Sequence, residues 1–300
     1  MSDALLAQVS TACRDFEQFE IPTRDGSRLT AWEIGPPGAP SVAVVNPVGV
    51  PILISSRLCR ALGERYRVTC WEQRGYSMSA AQFHSTPHYY GSFANDVADV
   101  VAARHRGKLA GLVGICSGAA LAITAASRGL VRSSSVILVC PVARFRDGYV
   151  PSIFDSAFIP YMRMISAGNQ PLARELLDMR AAYAREPRAA VLGVDQQLIE
   201  TADTISLKSL DGLLVYARTI QTFADEMLDE DIAGLRQKTF VFGATDDRTV
   251  SIHSIRKLCR RLPDAWLYEY ATGGHHSVFS NAEMREKICE VIDTRPRGGP

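Results

Sequence analysis

The sequence predicts an α/β domain built on a mainly parallel sheet, and three observations predict it. Short apolar runs alternate with helix-length segments through residues 41–140 and again from residue 239 onward, the rhythm of βαβ crossovers. The runs are continuously apolar, as in Ser41-Val42-Ala43-Val44-Val45, which suits strands buried on both faces. Composition agrees, because 47% hydrophobic and 22% charged residues are enough apolar material for a buried sheet and too few charges for disorder.

The elements follow in order. Phe16 to Pro22 and Arg28 to Ile34 alternate apolar and polar residues around Arg24-Asp25-Gly26, a hairpin. Gly35-Pro36-Pro37-Gly38 breaks the chain before the strand Ser41 to Asn46. Helical patterns near Ile52 to Glu64, near Phe93 to His105 and over Ser117 to Ser127 then alternate with strands Tyr66 to Trp71, Leu109 to Ile115 and Ser135 to Cys140. The rhythm stops at Pro141. From there to about Ala233 the patterning is helical, as in Leu172 to Tyr183 and Leu207 to Met227, and a segment that long predicts a helical subdomain rather than a loop. Strands Thr239 to Gly243 and Trp266 to Tyr270, with helices near Ile252 to Leu262 and Asn281 to Ile292, close the chain. The tail Arg295 to Pro300 reads as disordered.

Charge and cysteine usage exclude several classes. Lys plus Arg number 33 against 32 Asp plus Glu, so nothing electrostatic calls for nucleic acid or an anionic membrane. Seven cysteines without a C-x-x-C pair fit a reducing cytoplasm. The N-terminus lacks a basic, then apolar, leader pattern, and no apolar run reaches the roughly 20 residues that span a bilayer. Metal, phosphate-loop and dinucleotide motifs are not visible, so no cofactor is expected.

The informative pentapeptide is Gly114-Ile115-Cys116-Ser117-Gly118, where a predicted strand meets a predicted helix. With 22 glycines and seven cysteines in 300 residues, chance expects about 0.04 such patterns. It resembles the nucleophile elbow of the α/β-hydrolase superfamily, with cysteine in place of the usual serine. The resemblance implies an eight-stranded, mainly parallel sheet with flanking helices and a helical lid after the sixth strand. Residues 1–143 and 232–300 would form the core, and residues 144–231 the lid. It also implies that Cys116 is a nucleophile rather than a small buried residue, because the elbow aims its side chain into the site and the helix N-terminus favours an anion there.

The resemblance places an acid after the strand Thr239 to Gly243 and a histidine after the last strand. The usual spacing of glycine plus three selects Asp246, with Asp247 as the fallback; Gly273-Gly274-His275 resembles the family's Gly-Gly-His signature and selects His275. His276 would be structural, and His84, His88, His105 and His253 lie at no motif position. In the implied Cys116, His275, Asp246 triad the histidine takes the thiol proton and the carboxylate fixes its tautomer. Asn46-Pro47-Val48-Gly49-Val50 stands where the family carries a His-Gly oxyanion loop and lacks the histidine; the backbone N–H groups of Ser117 and Val48 are the expected oxyanion donors. Glu72-Gln73-Arg74-Gly75-Tyr76-Ser77-Met78-Ser79 is similar to the family's turn after the fourth strand and reads as structural.

A cysteine nucleophile changes which acyl chemistry is easy. Forming an acyl-thioester from an oxoester is uphill, whereas exchange with another thioester is nearly balanced. The expected function is therefore a thioesterase, acyltransferase or cyclase, serving a biosynthetic assembly line and acting on an acyl-thioester carried by coenzyme A or an acyl carrier protein. Two alternatives stay open: a dienelactone-hydrolase-like lactone or ester hydrolase, and a non-catalytic ligand-binding relative. Phe154, Phe158, Tyr161, Met162 and Met164 in the lid are candidates for an acyl tunnel or for plain lid packing. Arg144 and Arg146 are candidates for the phosphates of a pantetheine carrier.

Overall fold

The computed structural model describes residues 3–75, 89–183, 199 and 209–293. Tyr76 to Ser79 of the turn motif, His84, His88, the first residues of the expected helix Leu207 to Met227, and the tail fall outside them.

Eight strands form one sheet in the order β1-β2-β4-β3-β5-β6-β7-β8. They are β1 (Glu17–Pro22), β2 (Arg28–Ile34), β3 (Ser41–Val45), β4 (Arg67–Trp71), β5 (Gly111–Ile115), β6 (Ser135–Val139), β7 (Lys238–Ala244) and β8 (Ala265–Tyr270). β2 pairs antiparallel with β1 and with β4, and all other pairings are parallel. The fold expected from the sequence is thus the fold observed.

Burial on both faces explains the apolar runs. Ala43, Val45, Leu112, Val136 and Leu138 join the core on one face, whereas their neighbours Val42, Val44, Val113, Ile137 and Val139 join the core on the other. The first face is covered by α3 (Tyr90–Arg104) and α4 (Ser117–Ser127), the second by α1 (Asp3–Ala12) and α2 (Leu53–Gly63). Helix α1 was not anticipated; it buries Val9, and the turn after it buries Cys13, against the second core, a short apolar stripe in an otherwise polar stretch.

Between β6 and β7 the chain leaves the sheet. A π-helical turn, Phe154–Phe158, runs into α5 (Ile159–Ser166), followed by α6 (Gln170–Tyr183) and α7 (Leu210–Asp225). These helices share their own small core of Met162, Ile165, Ala173, Leu213 and Ala217, which is why the segment has helical rather than strand periodicity. α8 (Asp229–Gly234) returns the chain to the sheet domain: its Asp231 accepts hydrogen bonds from Thr124 Oγ1 at 2.9 Å, Ser127 Oγ at 3.0 Å and the Arg128 guanidinium. α9 (Ile252–Arg261), the short α10 (Ser277–Ser280) and α11 (Ala282–Asp293) complete the chain. No helix among the described residues is long and apolar enough to cross a membrane.

Candidate active site

The site lies at the carboxyl ends of β5, β6 and β7, where open α/β sheets gather their ligands. Cys116 joins β5 to α4 with φ 55° and ψ −121°, a backbone region that L residues occupy only under strain. The two glycines make so tight a turn possible. A Cβ on Gly114 would fall 2.5 Å from the Ala119 Cα, and one on Gly118 would collide with the Val45 carbonyl. The turn is pinned from below by Cys116 N–H donating to the Val139 carbonyl at 2.9 Å and from the side by Val142 N–H donating to the Cys116 carbonyl at 3.1 Å.

His275 follows Gly273 and Gly274, both with positive φ, in the turn after β8. Its partner is a correction to the expected spacing. The carboxylate on His275 Nδ1 is that of Asp247, Oδ2 at 2.9 Å, not that of Asp246. The turn after β7 carries the chain one residue further than glycine plus three before a side chain faces inward. Asp247 shows no exposed side-chain surface, and its other oxygen accepts from Thr249 N–H at 2.7 Å and Val250 N–H at 3.0 Å. Asp246 instead accepts from the N–H groups of Gly273 (3.2 Å) and Gly274 (2.8 Å). It clamps the turn that carries the histidine, while Asp247 clamps the ring.

The electrostatics follow from these contacts. Burial alone would raise the Asp247 pKa, but the His275 ring and the Val250 and Thr249 N–H groups hold it below the ordinary carboxylate value. Burial likewise opposes protonation of His275; the Cys116 sulfur and the Asp247 carboxylate more than offset it, and the ring's pKa lies well above the usual imidazole value. The second ring nitrogen, Nε2, is buried with no hydrogen bond of good geometry among the described residues. Loose nucleophile-to-base contacts are common before substrate binds. His276, 7% exposed, packs edge-on against His275 with ring centroids 5.1 Å apart.

The oxyanion loop departs from expectation in one respect. Ser117 N–H sits in the first turn of α4, where N–H groups lack an intrahelical acceptor, but Val48 N–H donates to Ser117 Oγ at 2.9 Å and so is already engaged. The loop is braced from behind: Asn46 Nδ2 donates to the Val50 carbonyl at 2.6 Å, its Oδ1 accepts from Ser55 Oγ, and Gln73 Nε2 donates to the Asn46 carbonyl at 2.9 Å. Arg74 in turn bonds Asp96 and Asp25, each at 2.7 Å. The Glu72-Gln73-Arg74 stretch is therefore structural support for the loop, as read from the sequence.

Above the thiol lies a cavity of about 370 Å³ whose lining includes Cys116, Ser117, Val48, His275 and His276. Of the five lid residues singled out from the sequence, Phe154 and Phe158 line it, their rings 4.8 Å apart. Met162 is fully buried in the lid's own core, and Tyr161 and Met164 are about half exposed on the outside. Sequence reasoning missed Tyr216, Ile220 and Phe223 of α7, although that helix's apolar stripe was the available signal. Arg144 reaches the cavity; Arg146 does not line it.

Cys140 Sγ, an Asp247 oxygen and a His275 nitrogen lie within 4.8 Å of one another, a spacing that a metal ion would accept. The donor set does not suit one. Burial, with the Asp247 charge, pushes the Cys140 thiol up to about 12, and the Asp247 oxygens are already spent on His275, Thr249 and Val250.

Residues 54–290 match the sequence profile described as the Alpha/beta hydrolase family. The chain belongs to that family. The α/β-hydrolase fold is shared at low identity with a bacterial membrane phospholipase A (TM-score 0.73, 18% identity, 98% of this chain and 92% of that one). It is shared also with an esterase from Exiguobacterium antarcticum (TM-score 0.73, 17% identity, 93% and 100%) and with the enol-lactonase from Burkholderia xenovorans (TM-score 0.67, 18% identity, 91% and 98%). No curated protein matches the chain. For this α/β-hydrolase, family and fold set a hydrolase-type chemistry as the coarse functional class; the acyl donor must be argued from the site.

Proposed function

We propose that the protein is an acyl-transfer enzyme, a thioesterase or an acyltransferase or cyclase, that takes its acyl group from a thioester and carries it on Cys116. One observation carries the reading: a cysteine held in the strained elbow faces a His275–Asp247 pair at the floor of a mainly apolar cavity.

His275 Nε2 accepts the Cys116 proton, and the sulfur attacks the thioester carbonyl. The new carbon–sulfur bond forms as the carbonyl π pair moves to oxygen; collapse expels the donor thiolate, which takes the proton from His275. Asp247 holds Nδ1 protonated so that Nε2 is the basic nitrogen. Ser117 N–H supports the oxyanion, and Val48 N–H joins it once the Ser117 hydroxyl turns aside. The acyl carbon–Cys116 sulfur bond then breaks as the acyl group passes to water, an amine or an alcohol, whose proton His275 removes and returns to the Cys116 sulfur, or to a carbanion, which attacks without giving up a proton. Thioester donors suit this site because sulfur-to-sulfur exchange is nearly balanced, whereas acylating a thiol from an oxoester is uphill. The donor thiol would be coenzyme A or a carrier-bound pantetheine, and the free state of all seven cysteines supports a reducing, cytoplasmic setting.

The test is intact-mass analysis after incubation with hexanoyl-N-acetylcysteamine. A gain of one hexanoyl group, absent in Cys116→Ala, is the expected result, and its decay with and without an added amine separates transferase from hydrolase. Turnover of simple esters or lactones with no thioester adduct overturns the reading in favour of lactone or ester hydrolysis.

A further inference from the structure

The cavity over Cys116 is apolar along most of its wall, through Val142, Phe154, Phe158, Ile220 and Phe223, yet it contains an ion pair, Arg144 with Asp155. An ion pair facing an apolar pocket is costly unless its remaining donors and acceptors are used, and the two partners differ sharply in how far they are used.

Asp155, 8% exposed in its side chain, meets four protein donors. One oxygen accepts from an Arg144 terminal nitrogen. The other accepts from Tyr149 Oη at 2.7 Å, Ser152 N–H at 2.8 Å and Ser152 Oγ at 2.9 Å. Three donors crowd one oxygen and one meets the other, so most of the carboxylate's acceptor capacity is used. Arg144, 16% exposed, brings five N–H donors, and among the described residues it spends one terminal nitrogen on Asp155. Nε and the other terminal nitrogen have no protein acceptor there, and the guanidinium rests over the Tyr149 ring at 5.3 Å. Its backbone is fixed by Leu228 N–H on the Arg144 carbonyl at 2.9 Å, so the fork is held at the mouth of the helical insertion.

We propose that Arg144 is a substrate-binding residue, and that the acyl groups this site selects carry an acceptor oxygen, a carboxylate or a carbonyl, where the chain passes the guanidinium. The inference rests on the acyl-Cys116 reading and names the class of acyl group. At about 30 Å³ per non-hydrogen atom, a water's share of its liquid, the cavity of about 370 Å³ holds on the order of a dozen such atoms. That accommodates a short oxygenated acyl chain. Asp155, Tyr149 and Ser152 orient the fork; the acyl oxygen takes the donors they leave over.

The experiment compares Cys116 acylation by hexanoyl-, 5-oxohexanoyl- and glutaryl-N-acetylcysteamine in the native protein, in Arg144→Lys and in Arg144→Met. Arg144→Lys keeps a cation for Asp155 but has a single nitrogen to give, so it preserves the fold and removes the fork. In the native protein one of the oxygenated donors acylates about tenfold or more faster than hexanoyl, the size of one charge-assisted hydrogen bond. That ratio collapses toward one in both variants, and because it is read within each protein, general damage cancels. The 5-oxohexanoyl and glutaryl arms separate a neutral from an anionic acceptor. Equal rates for all three donors in the native protein, or a ratio that survives both variants, overturns the proposal while leaving acyl-Cys116 chemistry standing. If no thioester acylates Cys116, the functional reading fails first. Calorimetric titration of glutarate and 5-oxohexanoate into Cys116→Ala, with and without Arg144→Lys, then decides whether Arg144 binds an acceptor oxygen: binding lost with the fork supports it, and no binding refutes it.

Discussion

Two cysteines end neighbouring parallel strands at the same level of the sheet, and of the two Cys116 lines the cavity. Ile115 pairs with Val139 in the β5–β6 register, so Cys116 and Cys140 follow side by side, both with positive φ, 55° and 44°. Both have their backbone N–H satisfied, Cys116 by the Val139 carbonyl and Cys140 by the Phe242 carbonyl. What differs is what comes next. Cys116 opens α4 and lines the cavity; Cys140 is followed by Pro141, is fully buried, and has its Sγ 3.5 Å from Ser277 Oγ. Burial pushes its thiol up to about 12. On the proposed reading a strained strand end does not make a nucleophile by itself; it must also open onto a helix N-terminus and a cavity.

The largest expected effect breaks the symmetry outright. Cys116→Ala lowers the rate of acyl transfer by about 10⁴-fold or more, the scale of removing a triad nucleophile, with melting temperature little changed. Cys140→Ala does the reverse: it costs about 1 to 2 kcal/mol of stability through a small cavity and leaves the rate within about threefold. Denaturation curves read beside acylation rates check both. Comparable rate losses in the two variants would mean that both thiols serve the reaction.

The two neighbouring aspartates sharpen the same point. Asp247→Asn loosens the grip on the His275 tautomer and is expected to lower kcat about 10² to 10⁴-fold; Asp246→Asn, which weakens two bonds to the Gly273-Gly274 turn, lowers it less than about tenfold. Steady-state kinetics on one thioester donor distinguishes them, and a larger effect at Asp246 would contradict the observed pairing.

Much of this was legible in the sequence, and the rest was hidden for identifiable reasons. The elbow could be read because its glycines answer a local demand, the collision that any Cβ at Gly114 or Gly118 would cause. The sheet could be read because β3, β5 and β6 are buried on both faces, which leaves continuous apolar runs. The acid could not be fixed between Asp246 and Asp247, since adjacent residues in a turn differ in where they point and not in what they are. The bond from Val48 N–H to Ser117 Oγ joins a loop to the first residue of α4, 69 residues apart, and leaves no pattern. In the lid, helical periodicity separated apolar from polar faces but could not say which apolar face, that of Met162 or that of Phe158, turns toward the sheet.

The smallest effect isolates the electrostatic half of the comparison. In the folded protein the His275 pKa is raised well above its usual value, against its own burial, by the Cys116 sulfur and then by Asp247. Replacing Cys116 with alanine removes the first of those and keeps the second, so His275 in Cys116→Ala titrates at lower pH than in the native protein, read from the imidazole proton resonances. A histidine whose folded pKa is raised adds stability that is fully present below its unfolded value, about 6.5, and lost as pH rises through the folded value. The native protein therefore loses more of the His275 contribution than Cys116→Ala between neutral and alkaline pH. Cys140→Ala leaves the His275 titration nearly where it was, because a thiol pushed to about 12 carries no charge over that range. A His275 titration that moves as far on removing Cys140 as on removing Cys116 would overturn the assignment of that shift to the Cys116 sulfur.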